Sequence, residues 1–239
     1  MFITVCWSFG FILGMLATVP VLWVYHVIRL ISGNRLADKF AFCFTRFWAR
    51  SIIITTGSKV TIVGSENFST DSNVCFISNH QGFFDIPLLM GWVGRPVGFI
   101  AKQELKRIPV LSGWIKAIHS AFLDRSNARK ALDSIKAGVT SIKNGHAIII
   151  FPEGSRSVDC SLSEFKVGSL KLATNAEATI QPITINKTRN IFELKRRIRK
   201  SCITLIVHEP ITQSHPLYHD RDKLAQKLYD TIGSGLTPC

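Results

Sequence analysis

From Met1 to Ile28 the chain carries no Asp, Glu, Lys or Arg: MFITVCWSFGFILGMLATVPVLWVYHVI. A helix rising about 1.5 Å per residue over that length reaches across a hydrocarbon layer of roughly 30 Å. A cleaved signal peptide fits poorly, because neither end of the segment has the basic start or the small-residue site such peptides use. A buried core helix is the plain alternative, but 28 uncharged residues are long for one. A membrane anchor follows. Pro20 in its middle invites a kink, so a bent segment entering one leaflet fits as well as a straight span. Gly10 and Gly14 have the GxxxG spacing that lets helices approach closely.

Arg29, Arg35, Lys39, Arg46 and Arg50 come next. By the positive-inside rule they place the following domain on the cytoplasmic side of a bacterial-type inner membrane or its equivalent. LADKFAFCFTRFWARSIIITT, from Leu36 to Thr56, mixes aromatics with basic residues. It reads as an amphipathic second helix lying on lipid or on the first helix, or else as the first core helix of the domain. Residues 1–56 are thus expected to anchor the protein, and 57–239 to form one sizeable domain.

Twenty-nine Lys and Arg against sixteen Asp and Glu give +13, so the partners are anionic. The densest basic run is KTRNIFELKRRIRK, residues 187–200, with seven Lys or Arg and one Glu. Beside an apolar N-terminus it suits anionic phospholipid, and no nucleic-acid reading module accompanies it, so no nucleic-acid partner is expected. Cys6, Cys43, Cys75, Cys160, Cys202 and Cys239 form no CxxC pair, which leaves zinc and redox motifs unsupported and reduced thiols expected.

Seven apolar or β-branched runs read as strands: KVTIVG at 59, VCFIS at 74, VGFIA at 97, SAFLD at 120, AIIIF at 147, ATIQPITI at 178 and CITLIVHEPI at 202. Between them, Leu132, Ile135, Val139 and Ile142 recur at helical spacing, with Ser126 or Asn127 placed to cap. Leu224, Leu228 and Ile232 repeat every four residues near the end. Strands alternating with helices imply an α/β sheet covered on both faces, with active residues just beyond strand ends. Pro182, inside a strand-like run, points to an edge or a bulge.

The chemistry-bearing stretches each follow such a run. ISNHQGFFDIP places His80 and Asp85 after VCFIS. In regular helix the two would point roughly 140° apart. They meet only if the segment begins as a turn, which Gly82 permits. An aspartate bonded to one imidazole nitrogen leaves the other free to accept a proton. On spacing alone, a structural turn is the better fit to these residues. FPEGSRS follows AIII, where Pro152 and Gly154 make a turn, backbone amides can face an anion, and Arg156 adds a fork suited to phosphate. Glu153 there is suited to orienting a donor or the arginine. Arg125 leaves the SAFLD run, and AKQELKRIPVLSGW offers Lys102 and Lys106 as donor or surface contacts.

In this order, Asn79-His80 with Asp85, AFLDR, FPEGSRS and QPI resemble the four-block signature of the glycerolipid acyltransferases, and most closely the 1-acyl-glycerol-3-phosphate (lysophosphatidate) acyltransferase family. The likeness covers roughly residues 58–212, with AKQEL, IPVLSGW and FKVGSLKLA similar to connecting segments. It implies a mixed α/β sheet flanked by helices, preceded by a hydrophobic two-helix membrane motif. It also implies that His80 is a general base oriented by Asp85, acting on the free sn-2 hydroxyl of a lysophosphatidate, with another lysophospholipid or glycerol-3-phosphate as the alternative acceptor. That hydroxyl attacks an acyl thioester, acyl-CoA or acyl-carrier protein, without an acyl-enzyme or bound cofactor. Arg125 and Arg156 would grip phosphate, with Glu153 and Gly154 shaping the same site. Ser155 stands where the family often has threonine, and Gly82-Phe83-Phe84 is more apolar than usual.

Two rival readings use the same residues. Ser155 or Ser157 as a hydrolase nucleophile lacks a G-x-S-x-G setting. A metal held by His80, Asp85 and Glu153 finds no support in the spacing, so no metal is expected there.

Overall fold

The computed structural model describes residues 2–124, 128–157 and 161–237. Its helices are α1 (Phe2–Ala17), α2 (Val19–Ser32), α3 (Asn34–Thr55), α4 (Asp85–Trp92), α5 (Pro109–Ala117), α6 (Ala128–Lys143), α7 (Lys171–Asn175) and α8 (Arg221–Ser234). All seven expected strands form: β1 (Lys59–Val63), β2 (Val74–Ser78), β3 (Val97–Lys102), β4 (Ala121–Leu123), β5 (Ala147–Ile150), β6 (Thr179–Asn186) and β7 (Cys202–Val207). They make one mixed sheet in the order β1-β7-β6-β2-β5-β3-β4. The five strands from β6 to β4 run parallel, and β7 turns antiparallel to β6 while pairing parallel with β1.

β2 and β5 are buried along their whole length, which is why they read as unbroken apolar runs rather than alternating ones. Alternation survives in which face each residue serves. Val74, Phe76 and Ile149 pack with Ile53, Phe84, Leu88 and Leu89 on the α3–α4 side. Cys75, Ile77 and Ile148 pack with Ile142, Leu172, Leu224, Leu228 and Ile232 on the α6–α7–α8 side. The expected stripe of α6 joins this second core through Ile135, Val139 and Ile142, while Leu132 is exposed. Its expected caps, Ser126 and Asn127, lie outside the described residues.

The apolar N-terminus differs from expectation in where it bends. It forms two helices rather than one, broken at Thr18, whose hydroxyl donates to Met15 O (2.7 Å) and accepts from Trp114 Nε1 (2.9 Å). Pro20 sits in the first turn of α2, where a missing N–H costs nothing, so it starts a helix instead of kinking one. From Phe2 to Ser32 the helical stretch is long and apolar enough to cross a membrane, with mean hydropathy 2.0 and 6% of its most apolar window buried. For α3, both open alternatives apply to different faces. Ala37, Ala41, Thr45, Ala49 and Ile53 form a buried stripe toward the domain, while Leu36, Phe47 and Ile54 are exposed on the outside.

Pro182 does not mark an edge, because β6 lies inside the sheet. The irregularity is a bulge in its partner: Ile183 pairs with Val207 and Ile180 with Ile211, so three residue steps face four. Proline has no N–H for His208 O, which accepts instead from Gln181 Nε2 (2.5 Å), and the Pro182 carbonyl accepts from His208 N (3.1 Å).

Candidate active site

Parallel strands bring their C-terminal ends to one edge of the sheet, and neighbouring strands bring their following loops into contact. Ile77 of β2 pairs with Ile150 of β5, so Asn79-His80 and Phe151-Pro152-Glu153 leave the sheet side by side. Asn79, buried, locks the exit: its Nδ2 donates to Ile185 O (2.9 Å) and its Oδ1 accepts from Ile185 N (2.7 Å). The side-chain amide thus replaces one more ladder pair between β2 and β6.

His80 is then held by the FPEGSRS turn on every side. Its N–H donates to Glu153 Oε1 (2.7 Å), its carbonyl accepts from Ser157 N (2.9 Å), and its ring stacks on Phe151 with centroids 4.1 Å apart. Gly154 takes φ +73, a conformation that favours glycine, and so allows the turn to fold back. Glu153 is 3% exposed, and its second oxygen accepts from Ser163 N (3.0 Å). Burial raises its pKa, with the two backbone amides acting the other way. Both oxygens therefore face inward to backbone donors, so Glu153 orients the backbone of the histidine rather than an arginine or a phosphate.

Asp85 is wholly buried at the first position of α4. Its Oδ2 accepts from His80 Nδ1 (2.7 Å), Gln81 N (2.6 Å) and Gly82 N (2.8 Å), and its Oδ1 from Thr188 Oγ1 (2.5 Å). Four donors thus converge on one buried carboxyl group at a helix N-terminus, and it fixes the imidazole with Nδ1 turned inward. Nε2 is left as the nitrogen able to take a proton.

Nothing in the sequence pattern marks Thr188 or Glu193, whose segment reads as a basic surface run. Glu193 Oε1 accepts from Phe83 N (2.6 Å), while its Oε2 is buried with no hydrogen-bond partner among the described residues. Burial raises this carboxyl's pKa, against the pull of the Phe83 amide. Gly82 does not use the left-handed backbone freedom of glycine, since its φ is not positive, and a Cβ there would lie 2.6 Å from Glu193 Oε2. Arg156 is exposed and stacks over the Phe83 ring, 3.7 Å from its centroid, while Phe84 turns into the core against Trp7.

The remaining expected residues are more dispersed. Lys102 ends β3 on the same sheet edge and is exposed; Lys106, also exposed, lies over Phe122 at 5.2 Å. Arg125 lies outside the described residues. Ser155 is exposed and Ser157 buried, the latter serving the His80 carbonyl through its backbone and receiving Arg189 on its own carbonyl (2.5 Å).

The described geometry joins two motifs around one imidazole, and known proteins share the stretch of chain that carries them. The Acyltransferase family profile matches residues 59–186, from β1 to the end of β6. A 1-acyl-sn-glycerol-3-phosphate acyltransferase of Chlamydomonas reinhardtii is 29% identical over 97% of this chain and 68% of its own length. A chloroplastic relative of the same name from Brassica napus is 33% identical over 84% of this chain, which spans 62% of that protein. A probable 1-acyl-sn-glycerol-3-phosphate acyltransferase of Mycoplasma pneumoniae is 30% identical, covering 84% of this chain and 79% of that one. The crystal structure of the 1-acyl-sn-glycerophosphate (LPA) acyltransferase PlsC from Thermotoga maritima superposes with a TM-score of 0.84 at 26% identity, over 98% of this chain and 93% of that one. A shared fold through the N-terminal helices, a family match spanning the site and relatives of one name place this chain in the 1-acyl-sn-glycerol-3-phosphate acyltransferase family.

Proposed function

We propose that the protein transfers an acyl chain from a thioester to the sn-2 hydroxyl of 1-acyl-glycerol-3-phosphate, giving phosphatidate. The observation that carries this reading is the His80 Nδ1–Asp85 Oδ2 contact of 2.7 Å, with Nε2 left to act. In the reaction, the hydroxyl proton passes to Nε2 as the oxygen attacks the thioester carbonyl. The tetrahedral intermediate collapses with cleavage of the C–S bond, and the thiolate leaves with the proton that the imidazolium returns. A general base of this kind contributes on the order of 10²–10⁴-fold. The amides of Gly154 and Ser157 are used inside the turn, so those of Ser155 and Arg156 are the turn's candidate donors for the oxyanion. Arg156, exposed on its Phe83 platform, is suited to the acceptor phosphate, with Arg125 as its expected partner from the resemblance. Lys102 and Lys106 are suited to the phosphates of coenzyme A or the acidic surface of a carrier protein.

The substrates are amphipathic, and the molecule is suited to meeting them at a membrane. The apolar faces of α1, α2 and α3 would enter lipid while the basic 187–200 segment contacts anionic head groups. A direct test offers purified protein in detergent a panel of lysophospholipids, with acyl-CoA and acyl-carrier protein as donors, and identifies products by mass. Lysophosphatidate is expected to be acylated fastest, with His80→Ala slower by about 10²–10⁴-fold. Free fatty acid as the main product, lost on Ser157→Ala, would instead establish a hydrolase.

A further inference from the structure

At the opposite end of the strands from His80, three side chains from distant parts of the chain meet. Asp38 projects from α3, His119 from the turn between α5 and β4, and His146 from the turn between α6 and β5. Each offers one ligand atom, and the three atoms lie within 4.8 Å of one another. We propose that Asp38, His119 and His146 form a binding site for a first-row divalent cation of the zinc class, completed by water.

The chemistry and the backbone both fit that assignment. Two imidazoles and one carboxylate make a donor set that zinc-class ions take readily, with water in a remaining position. His119 Nε2 lies 2.8 Å from Asp38 Oδ1, so a cation entering there displaces the shared proton, as metal binding to such ligands does. The ligands stand on fixed backbone. His119 adopts φ +56, rare for a residue with a Cβ, and is held by His119 N→Lys116 O (3.0 Å) and by Ser141 Oγ donating to its carbonyl (3.2 Å). Gly145, at φ +83, turns the chain so that His146 N donates to Ser141 O (3.0 Å). Ser141 thereby fixes both histidines.

A cavity of about 80 Å³ adjoins the cluster, lined by all three side chains together with Phe42, Met90 and Ile118. The imidazoles lie stacked, 3.5 Å apart and 12° from parallel, so a shared ion requires one ring to turn out of the stack. The cavity adjoins both rings. An ion here would join α3, whose outer face is apolar, to the non-catalytic end of the sheet. Its readouts are therefore binding and stability, independent of whether the proposed acyl transfer is correct.

The test uses the full chain in detergent, stripped with chelator and titrated with Co²⁺ and then Zn²⁺. One equivalent of Co²⁺ is expected to bind saturably with visible d–d absorption, and Zn²⁺ to displace it. Saturating Zn²⁺, at roughly 100 times its Kd, should raise the thermal midpoint by about 5–10 °C. Asp38→Asn and His146→Ala should each weaken binding by at least about 10-fold, while His80→Ala leaves it intact. Absence of a saturable Co²⁺ spectrum in the unaltered protein would overturn the proposal, whatever the variants do. So would equal affinity in a folded His119→Ala, His146→Ala double variant.

Discussion

Gly82 has an ordinary backbone angle, and a Cβ there would meet the Glu193 carboxylate, which would have to shift to admit it. That carboxylate holds Phe83 N, in the loop between the base and its aspartate. Gly82→Ala should push Glu193 off the Phe83 amide and loosen the loop that joins the base to its aspartate, lowering kcat by about two- to tenfold, the worth of one hydrogen bond of about 0.5–1.5 kcal/mol. Glu193→Ala should cost a similar factor by removing the acceptor itself. Because both act through one contact, the double variant should be no slower than Glu193→Ala alone. Steady-state kinetics on the cycle decide it: multiplied losses would mean that Gly82 is needed for another reason. Sequence spacing made His80 and Asp85 legible as a pair, but it could not show this contact. Glu193 lies 110 positions from Phe83, and Thr188 lies 103 from Asp85. Both sit in a run whose charge pattern speaks only of a basic surface, and no local periodicity marks a residue that reaches across the sheet edge.

Among the elements, the strands were the most legible because each is a short apolar run between turn residues, and the structure forms all seven. Pairing order was not, and Pro182 shows why. The proline suggests an edge or a bulge; the edge is absent and the bulge lies in the partner segment, with the Gln181 side chain taking the place of the missing N–H. That accommodation depends on residues around 208, which the local sequence at 182 does not encode. α3 shows the complementary case, where composition gives the helix but leaves its buried side open. Small residues at 37, 41 and 49 let it approach the domain closely, with Arg50 Nε bonding Gly91 O (2.8 Å) in α4. Ala49 is wholly buried on that stripe. Ala49→Leu should therefore overpack the α3–α4 contact and destabilise by about 1–3 kcal/mol. For a chain of this size that lowers the thermal midpoint by roughly 2–12 °C. Exposed Phe47→Leu, two residues away, serves as the control, and an unchanged midpoint in Ala49→Leu would show that α3 is only loosely docked.

At the scale of the whole molecule, the apolar N-terminus and the basic run are one surface. Ile198 N donates to Thr4 Oγ1 (3.0 Å), and Ile3 and Thr4 share a cleft of about 500 Å³ with Lys195, Arg197, Ile198 and Arg199. The same basic segment sends Thr188 to Asp85 and Glu193 to the Phe83 amide. On the proposed reading, lipid contact and catalysis therefore meet in one stretch of chain, with the three basic side chains facing solvent where head groups would lie. Each basic residue near an anionic surface contributes roughly 1 kcal/mol, so replacing Lys195, Arg197 and Arg199 by Gln should weaken binding to anionic vesicles on the order of 100-fold. Flotation with neutral vesicles should change little, because the apolar faces of α1, α2 and α3 are untouched. The loss should also be mimicked by salt, since exposed charges are screened within about 8 Å at physiological ionic strength. Turnover in detergent micelles should remain at the parent level, because none of the three touches His80, Asp85 or their partners. If the triple variant floats on anionic vesicles as the parent does, the basic segment is a solvated face, and only the apolar helices bind lipid.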